Sequence, residues 1–379
     1  MKLAAEQYQV GDHITRDFPY CDNTFVPNAT IIEVIDSTFN KDNHLKIINC
    51  GELDLAHPGR YYKFTSPEEW ENTRADIIHG QLGKYDYEWE YFNKSLSAVY
   101  SPKRHFFPLY FLYHTFHEVI ISSINQGTTF NGFPKAYSYP TNIHFLCYNR
   151  NTRPHRVALL QLLKDRGMLT TKNYSFWGEG LEELIMPHRD MFKYSEVINL
   201  NKFTIKTNFL DSKTEVHKTY FNFTEEFLTS AFQLVSETCD ERHFWTEKTW
   251  YPILCSKPFI THGSQYINKS LTDFGFVLYD DIFDYSFDNE PDPGLRAKML
   301  ADEVNRVVKT YDYNYITKKL KDKCKHNYNN AIDILSNKKF IPSIFLKWND
   351  QYKHLHVWRN HSARWYSTLE AFSYIFQEL

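Results

Sequence analysis

The residues with the clearest chemical potential in this chain follow an apolar strand near its middle. Ser236 and Glu237 end that strand, and after a short loop Thr246, Glu247 and Lys248 open a helix. A helix N-terminus and an ammonium group attract phosphate, and a carboxylate accepts hydrogen bonds from ribose hydroxyls. The pattern therefore predicts one crevice in which these groups surround a ribose diphosphate.

A second stretch places two arginines, Arg153 and Arg156, at the start of a helix that also follows an apolar strand. A guanidinium group holds a phosphate through two parallel N–H donors. The helix dipole disfavours cations at an N-terminus. The unfavourable placement of Arg156 thus supports a role in anion binding, and a surface arginine in the first turn of the helix stays the alternative.

The elements that must position these residues alternate between strand and helix. Pro154 suits the first turn of a helix and Gly167 its end. The predicted strands are 143–147, 231–236, 258–261 and 276–278, and the predicted helices are 154–166, 226–232 and 247–255. This alternation predicts an α/β fold with a parallel, doubly wound sheet. Ligands bind such sheets beyond the carboxyl ends of the strands.

The rest of the chain shows a different organisation on each side of this pattern. Strands at 30–35 and 45–50 and a helix at 107–125 are predicted in the first third, and residues 292–379 are predicted to be mostly helical. A segment rich in Gly, Thr, Asn and Pro at 127–140 predicts a domain boundary. We therefore expect an N-terminal domain at 1–138, a C-terminal domain at 139–345, and final helices at 346–379 that pack back on the first domain.

Residues 143–290 resemble the donor domain of the α-1,3-fucosyltransferases, glycosyltransferase family 10. The resemblance is carried by Phe145-Leu146-Cys147 with Arg156, by Ser236-Glu237-Thr238 with Thr246-Glu247-Lys248, by Pro258-Phe259-Ile260 with Gly263, and by the stretch from Phe276 to Asp288. The Thr-Glu-Lys core is the most specific of these strings. The family has Asn where this chain has Thr238, and Tyr where it has Trp245.

The resemblance implies a GT-B fold, in which two Rossmann-like domains face a cleft and the C-terminal domain binds the nucleotide sugar. It implies inverting transfer with no catalytic metal and no cofactor other than the nucleotide-sugar co-substrate. By the same resemblance, Arg156 and Lys248 would hold the diphosphate and Glu247 the ribose. The strand-to-helix pattern adds Arg153, Ser236, Glu237 and Thr246 to the predicted donor site. GDP-fucose is one candidate donor.

Inverting transfer also needs a general base that removes the proton of the acceptor hydroxyl. An apolar strand at 45–50 is followed by Gly51 and Glu52. This ending is similar to the Thr-Gly-Glu of the family, whose Glu acts as the base. We therefore expect Glu52 to be the base, with Asp54 as the alternative.

Composition limits the other classes of function. The 379 residues are 42% hydrophobic and 23% charged with a net charge of -3, which indicates a globular protein without a general attraction to nucleic acid. The six cysteines form no CxxC pair and no zinc-type spacing with histidine. With no signal peptide and no apolar membrane span evident, we expect a cytoplasmic protein with free, mostly buried thiols.

Three functions stay open for such a chain. The first is transfer of a sugar to a glycan acceptor. The second is transfer to hydroxymethylated bases of DNA, as some viral enzymes of similar architecture do; the 14 Lys and Arg against 8 Asp and Glu in residues 297–379 favour it, and the 12 against 17 in residues 1–138 oppose it. The third is a non-catalytic protein that binds a nucleotide sugar or a glycan.

Overall fold

The computed structural model of the protein describes part of the chain. The described residues are 29–34, 45–50, 74–79, 103–106, 108–109, 111–113, 115–116, 119, 132–149, 152–176, 193–198, 205–206, 208, 223–238, 240, 243–341 and 343. The chain divides into two compact units, Met1–His117 with Leu335–Leu379, and Glu118–Ile334. The predicted domain bounds at 138 and 345 stay a prediction, and the predicted helices at 346–379 lie outside the described residues.

The first unit contains a mixed four-stranded sheet in the order β1-β2-β3-β4. Its strands are β1 (Ala29–Val34), β2 (Leu45–Cys50), β3 (Arg74–His79) and β4 (Lys103–Phe106). β1 is antiparallel to β2, whereas β2, β3 and β4 are parallel. The two strands predicted in this region therefore form, and two further strands extend the sheet.

The second unit contains a parallel four-stranded sheet in the order β6-β5-β7-β8. Its strands are β5 (Ile143–Asn149), β6 (Tyr174–Phe176), β7 (Ser230–Ser236) and β8 (Phe259–His262). All the residues of β7 and β8 are buried, as expected for a parallel sheet covered on both faces. The sheet is compatible with a Rossmann-like α/β fold.

The helices of the second unit begin and end at residues suited to those positions. They are α1 (Pro154–Asp165), α2 (Glu225–Thr229), α3 (Glu247–Leu254), α4 (Pro293–Thr310) and α5 (Tyr313–Ser336). Pro154 occupies the first turn of α1, and Gly167 just beyond its end has a φ of 71°, a conformation that favours glycine. The side chain of Asp292 caps α4 by accepting from the amide of Leu295 at 2.7 Å. Both α4 and α5 agree with the helical prediction for this region.

The strand predicted at 276–278 does not form, because the segment is held by a side chain instead of by a neighbouring strand. The amide of Asn327 on α5 accepts from Val277 N at 2.8 Å and donates to Val277 O at 2.9 Å. These two bonds satisfy the backbone groups that a sheet would otherwise pair. Phe276 is buried in the core, whereas Val277 and Leu278 are only partly buried, and this run of three apolar residues explains why the sequence resembles a strand.

Lys257 lies in the core just before β8 and is fully buried. Its ammonium group donates to the backbone oxygen of Ser230 and lies 5.3 Å from the centre of the Phe227 ring. Burial lowers the pKa of Lys257 from 10.5 to about 7, although the neighbouring thiols of Cys255 and Cys324 oppose this shift. Between about pH 7 and pH 10.5, the Lys257 side chain is therefore mostly neutral in the folded protein and mostly protonated in the unfolded chain.

Replacing this lysine should change how stability depends on pH. In that window the unfolded state binds more protons, so the free energy of unfolding of the wild type rises with pH. We expect Lys257→Met to lose this rise and to be more stable than the wild type at pH 7 by on the order of a few kcal/mol, with the advantage shrinking toward pH 10. Urea unfolding at both pH values measures it; an equal difference at both would contradict the assignment.

Candidate functional site

The parallel sheet of the second unit has a topological switch point between β5 and β7. The chain continues from β5 through α1 to β6 on one side, and later enters β7 on the other side. Ligands of open α/β sheets bind in the crevice at this point, beyond the carboxyl ends of the two strands. Arg153 and Arg156 follow β5, and Glu237 and Lys248 follow β7, so the predicted donor residues converge at this crevice.

Glu237 is the structural centre of the crevice. Its carboxylate is fully buried and accepts from Thr246 N at 3.0 Å, Thr246 Oγ1 at 2.6 Å, Thr249 Oγ1 at 2.6 Å and Thr238 N at 3.3 Å. Four donors match the acceptor capacity of a carboxylate. The carboxylate therefore fastens the first turn of α3 to the end of β7, and it is occupied by the protein itself.

The backbone oxygen of Glu237 fixes α1 in the same way. It accepts from His155 Nε2 at 2.8 Å and from Arg156 Nε and Nη2 at 3.2 and 3.0 Å. Arg156 is 2% exposed, and burial and the adjacent Arg153 lower its pKa to about 10, so the guanidinium stays charged at neutral pH. Two mutually repelling guanidinium groups at one helix N-terminus favour an anion beside them.

Lys248 and Glu247 form the half-buried edge of the crevice. Lys248 Nζ donates to Glu247 Oε1 at 2.6 Å and to Thr246 Oγ1 at 3.2 Å, and it lies 3.5 Å from Thr238 Oγ1. The Lys248 and Glu247 side chains are 28% and 34% exposed. Burial raises the pKa of Glu247, but Lys248 and the more distant Arg156 outweigh it, so the pKa lies below its ordinary value. Arg156, which follows β5, and Glu247, which follows β7, thus attract each other electrostatically across the switch point.

The other predicted site residues have contrasting surroundings. Arg153 is exposed, whereas Ser236 and Thr246 are buried. Thr246 caps α3, since its side chain accepts from the amide of Lys248. The two candidate bases, Glu52 and Asp54, lie outside the described residues, and their role stays a prediction.

The structure adds a buried polar group that the sequence analysis did not select. His262 ends β8, and its ring lies 5.7 Å from that of His155. Asp240 lies 3.8 Å from His155 Nδ1 and accepts from the hydroxyl of Tyr194. Burial lowers the pKa of His155 to about 4, even though Asp240 opposes this shift, so its imidazole is neutral at pH 7. The signal in the sequence was the position of His262, directly after a predicted strand at the binding edge of the sheet.

A separate surface cavity of about 850 Å³ is lined by the acidic loop at 280–289, together with Lys269, Arg306 and Tyr311. Two of its carboxylates are already paired, since Lys323 binds both Asp280 and Asp281. The excess of carboxylates disfavours a diphosphate there. The cations at the switch point, Arg153, Arg156 and Lys248, therefore suit an anion better than this cavity does.

Among the described residues, no cluster of three or more His, Cys, Asp or Glu side chains could hold a metal ion. Within the same part of the chain, no helix combines the length and the apolar character needed to cross a bilayer. No protein-family model matches the chain, and no curated protein matches it significantly. The function therefore has to be argued from the crevice itself.

Proposed function

We propose that the protein is an inverting glycosyltransferase of the GT-B type, which moves a sugar from a nucleotide-diphosphate sugar to an acceptor hydroxyl of a glycan. In this proposal the second unit binds the donor. Arg153, Arg156 and Lys248 neutralise the departing diphosphate, and Glu247 accepts from the ribose hydroxyls. The activity needs no cofactor beyond the nucleotide sugar.

One observation carries the proposal. Two helix N-termini, those of α1 and α3, meet at the switch point around Glu237, and each brings a cation: Arg156 and Lys248. Preorganised cations and amide dipoles stabilise a leaving group whose charge develops in the transition state. A half-buried carboxylate next to them, Glu247, supports a ligand that also carries hydroxyl groups.

Because Glu237 is saturated by protein donors, we assign it a positioning role within this site. Its carboxylate orients the α3 N-terminus, and its carbonyl orients Arg156. Thr246 acts in the same way, since its hydroxyl lies between Glu237 and Lys248. Direct contact with the donor is proposed for Arg153, Arg156, Glu247 and Lys248.

A panel of GDP-, UDP-, CMP- and dTDP-sugars tests the proposal. A ligand that binds only the folded state adds about 2.7 kcal/mol to the free energy of unfolding at a concentration of 100 Kd. The melting temperature rises as a result. We expect at least one diphosphate sugar to raise it and to be turned over with a glycan acceptor. Binding without transfer, by every donor and acceptor tried, would favour the non-catalytic alternative.

Glu52 is the base in this proposal, and its replacement should separate chemistry from binding. A general base contributes to proton removal in the transition state, whereas the donor is held by the other unit. We expect Glu52→Gln to slow transfer by on the order of a hundredfold and to leave donor affinity within about twofold. Asp54→Asn is the matched control; equal losses of rate and affinity in Glu52→Gln would argue against the assignment.

A DNA acceptor is the alternative that a specific surface favours. Lys318, Lys321 and Lys325 are exposed on α5, and the ammonium groups of Lys321 and Lys325 lie 5.0 and 5.8 Å from the Tyr137 ring centre. Lysine and aromatic side chains together suit a nucleic-acid strand. Retention on DNA that weakens steeply with salt would support this acceptor, and absence of retention at low salt would exclude it.

A further inference from the structure

A second group of polar atoms lies beside the cationic crevice, at the carboxyl ends of β7 and β8. The hydroxyl groups of Ser236 and Ser264 and both ring nitrogens of His262 are buried, and within the described part of the chain none has a hydrogen-bond partner. Their residues are 1%, 3% and 1% exposed. Burying a polar group without a hydrogen-bond partner destabilises the folded state, so such a concentration indicates a ligand or internal water.

The strand register brings two of these groups together. Ser236 and His262 are direct partners in the parallel pairing of β7 and β8, and partners of this kind point to the same face of a sheet. On that face the His262 ring meets His155 of α1. Arg296, in the first turn of α4, reaches the same edge and donates from Nε to Gly263 O at 3.0 Å. The group therefore lies near the N-terminal turns of α1 and α4.

The group is continuous with the proposed donor site. Ser236 is followed directly by Glu237, whose amide donates to His262 O at 2.9 Å and whose carbonyl accepts from Arg156. Glu237 is thus bonded on one side to Arg156 and on the other to the backbone of His262, so one ligand beside Glu237 can contact both side chains. The diphosphate and the group at β8 could therefore be contacted by one nucleotide.

The chemistry of the group is neutral. Burial holds the pKa of His262 well below 6.5, so its imidazole offers one N–H donor and one nitrogen acceptor, and each serine hydroxyl can act as either. The guanidinium of Arg296 is already used on backbone oxygens of residues 240, 263, 290 and 291. A ligand edge that both donates and accepts fits better here than a phosphate.

We propose that Ser236, His262 and Ser264 form the subsite that recognises the hydrogen-bonding edge of the donor's nucleobase. This inference rests on the proposed function. The transferred sugar has to face an acceptor, whereas the base can be enclosed, which matches the burial of these three side chains. A nucleobase edge presents a donor and an acceptor side by side, which is the complement of a neutral imidazole and serine hydroxyl groups.

The test compares inorganic pyrophosphate with UDP, GDP, ADP and CDP by calorimetric titration of the full-length protein. We expect the wild type to bind one of the nucleotides at least about tenfold more tightly than pyrophosphate. Ser236→Ala and His262→Gln should each weaken that nucleotide about 5- to 30-fold, corresponding to one hydrogen bond of about 1–2 kcal/mol, and leave pyrophosphate affinity within about twofold.

Thr261→Val is the matched control. The hydroxyl of Thr261 is also buried, with no partner in the part of the chain that the structure describes, but it belongs to the adjacent residue of β8 and so points to the opposite face of the sheet. We expect its removal to change neither affinity. Because no group of the described residues bonds the Ser236 hydroxyl, Ser236→Ala should keep the melting temperature of the wild type, and it tests the subsite even if His262→Gln fails to fold.

Three results would overturn the inference. Equal weakening of nucleotide and pyrophosphate by Ser236→Ala would place a phosphate at the group. Unchanged nucleotide affinity together with a lower melting temperature would identify internal water as the partner of the hydroxyl. Absence of binding of every nucleotide and of pyrophosphate to the wild type would reject the proposed function as well, whereas the first two results leave it standing.

Discussion

Replacing Lys248 with alanine is expected to lower kcat/KM for the nucleotide sugar about a thousandfold, the upper range for loss of one preorganised electrostatic group. Lys248 Nζ lies at the N-terminal turn of α3, within 3.2 Å of the capping hydroxyl of Thr246. There its charge adds to the dipole of the helix. In the transition state the bond to the diphosphate breaks and negative charge grows, so the ammonium stabilises that state more than the bound donor.

The fold should tolerate this change. The Lys248 side chain is 28% exposed and its ion pair is with Glu247, and pairs of this kind contribute about 0–1 kcal/mol. Lys298→Ala, which removes the same charge from an exposed position of α4, is the control and should leave turnover unchanged. Transfer by Lys248→Ala at the wild-type rate would show that the leaving diphosphate is stabilised elsewhere.

Replacing Glu237 with alanine is expected to lower the free energy of unfolding by about 3–5 kcal/mol, as when one partner of a buried charged network is removed. The substitution leaves the amide and hydroxyl of Thr246 and the hydroxyl of Thr249 without their acceptor inside the protein. It also detaches the N-terminal turn of α3 from β7. Denaturant unfolding followed by circular dichroism measures the loss.

Glu247→Ala provides a matched comparison, because it removes a neighbouring carboxylate with the same charge. Glu247 is half-buried and its side chain pairs with Lys248, so its loss should cost less than about 1 kcal/mol. Compared with the wild type, Glu237→Ala should mainly lose stability, whereas Glu247→Ala should mainly lose affinity for the donor. Equal stability of the two proteins would refute the central structural role of Glu237.

The helices around the site were predictable because local signals fix their ends. Pro154 and Gly167 marked α1, and the threonine before Glu247 marked α3. The convergence of Arg156 with Glu247 followed from a general rule of parallel sheets, since the ends of adjacent strands share one edge. The order of the strands, which creates the switch point, required the structure.

Two of the strands that were missed, β4 and β6, carry little local signal. β4 has the sequence Lys-Arg-His-Phe and β6 has three residues, so neither shows the alternation that marks a strand. The segment at 276–278 has the apolar sequence of a strand but does not pair with one, because Asn327 of α5 bonds its backbone instead. Pairing between residues far apart in sequence decided all three cases.

The same limit applies to the site. Glu237 was predicted to contact the donor because its type and position suit a ribose, but the acceptor capacity of its carboxylate is used by threonines that follow it in the sequence. His262 was not selected, although it directly follows a predicted strand. The structure adds the observation that its buried ring nitrogens have no partners among the described residues.

A crystal structure of the wild-type protein with the nucleoside diphosphate that stabilises it most is the most direct test of the donor site. We expect phosphate oxygens at hydrogen-bond distance, about 3 Å, from Lys248 Nζ and from amides of the first turn of α3, with Arg153 or Arg156 on the other side and the ribose hydroxyls facing Glu247. A nucleotide bound elsewhere on the fold, with none of these side chains in contact with it, would contradict the assignment.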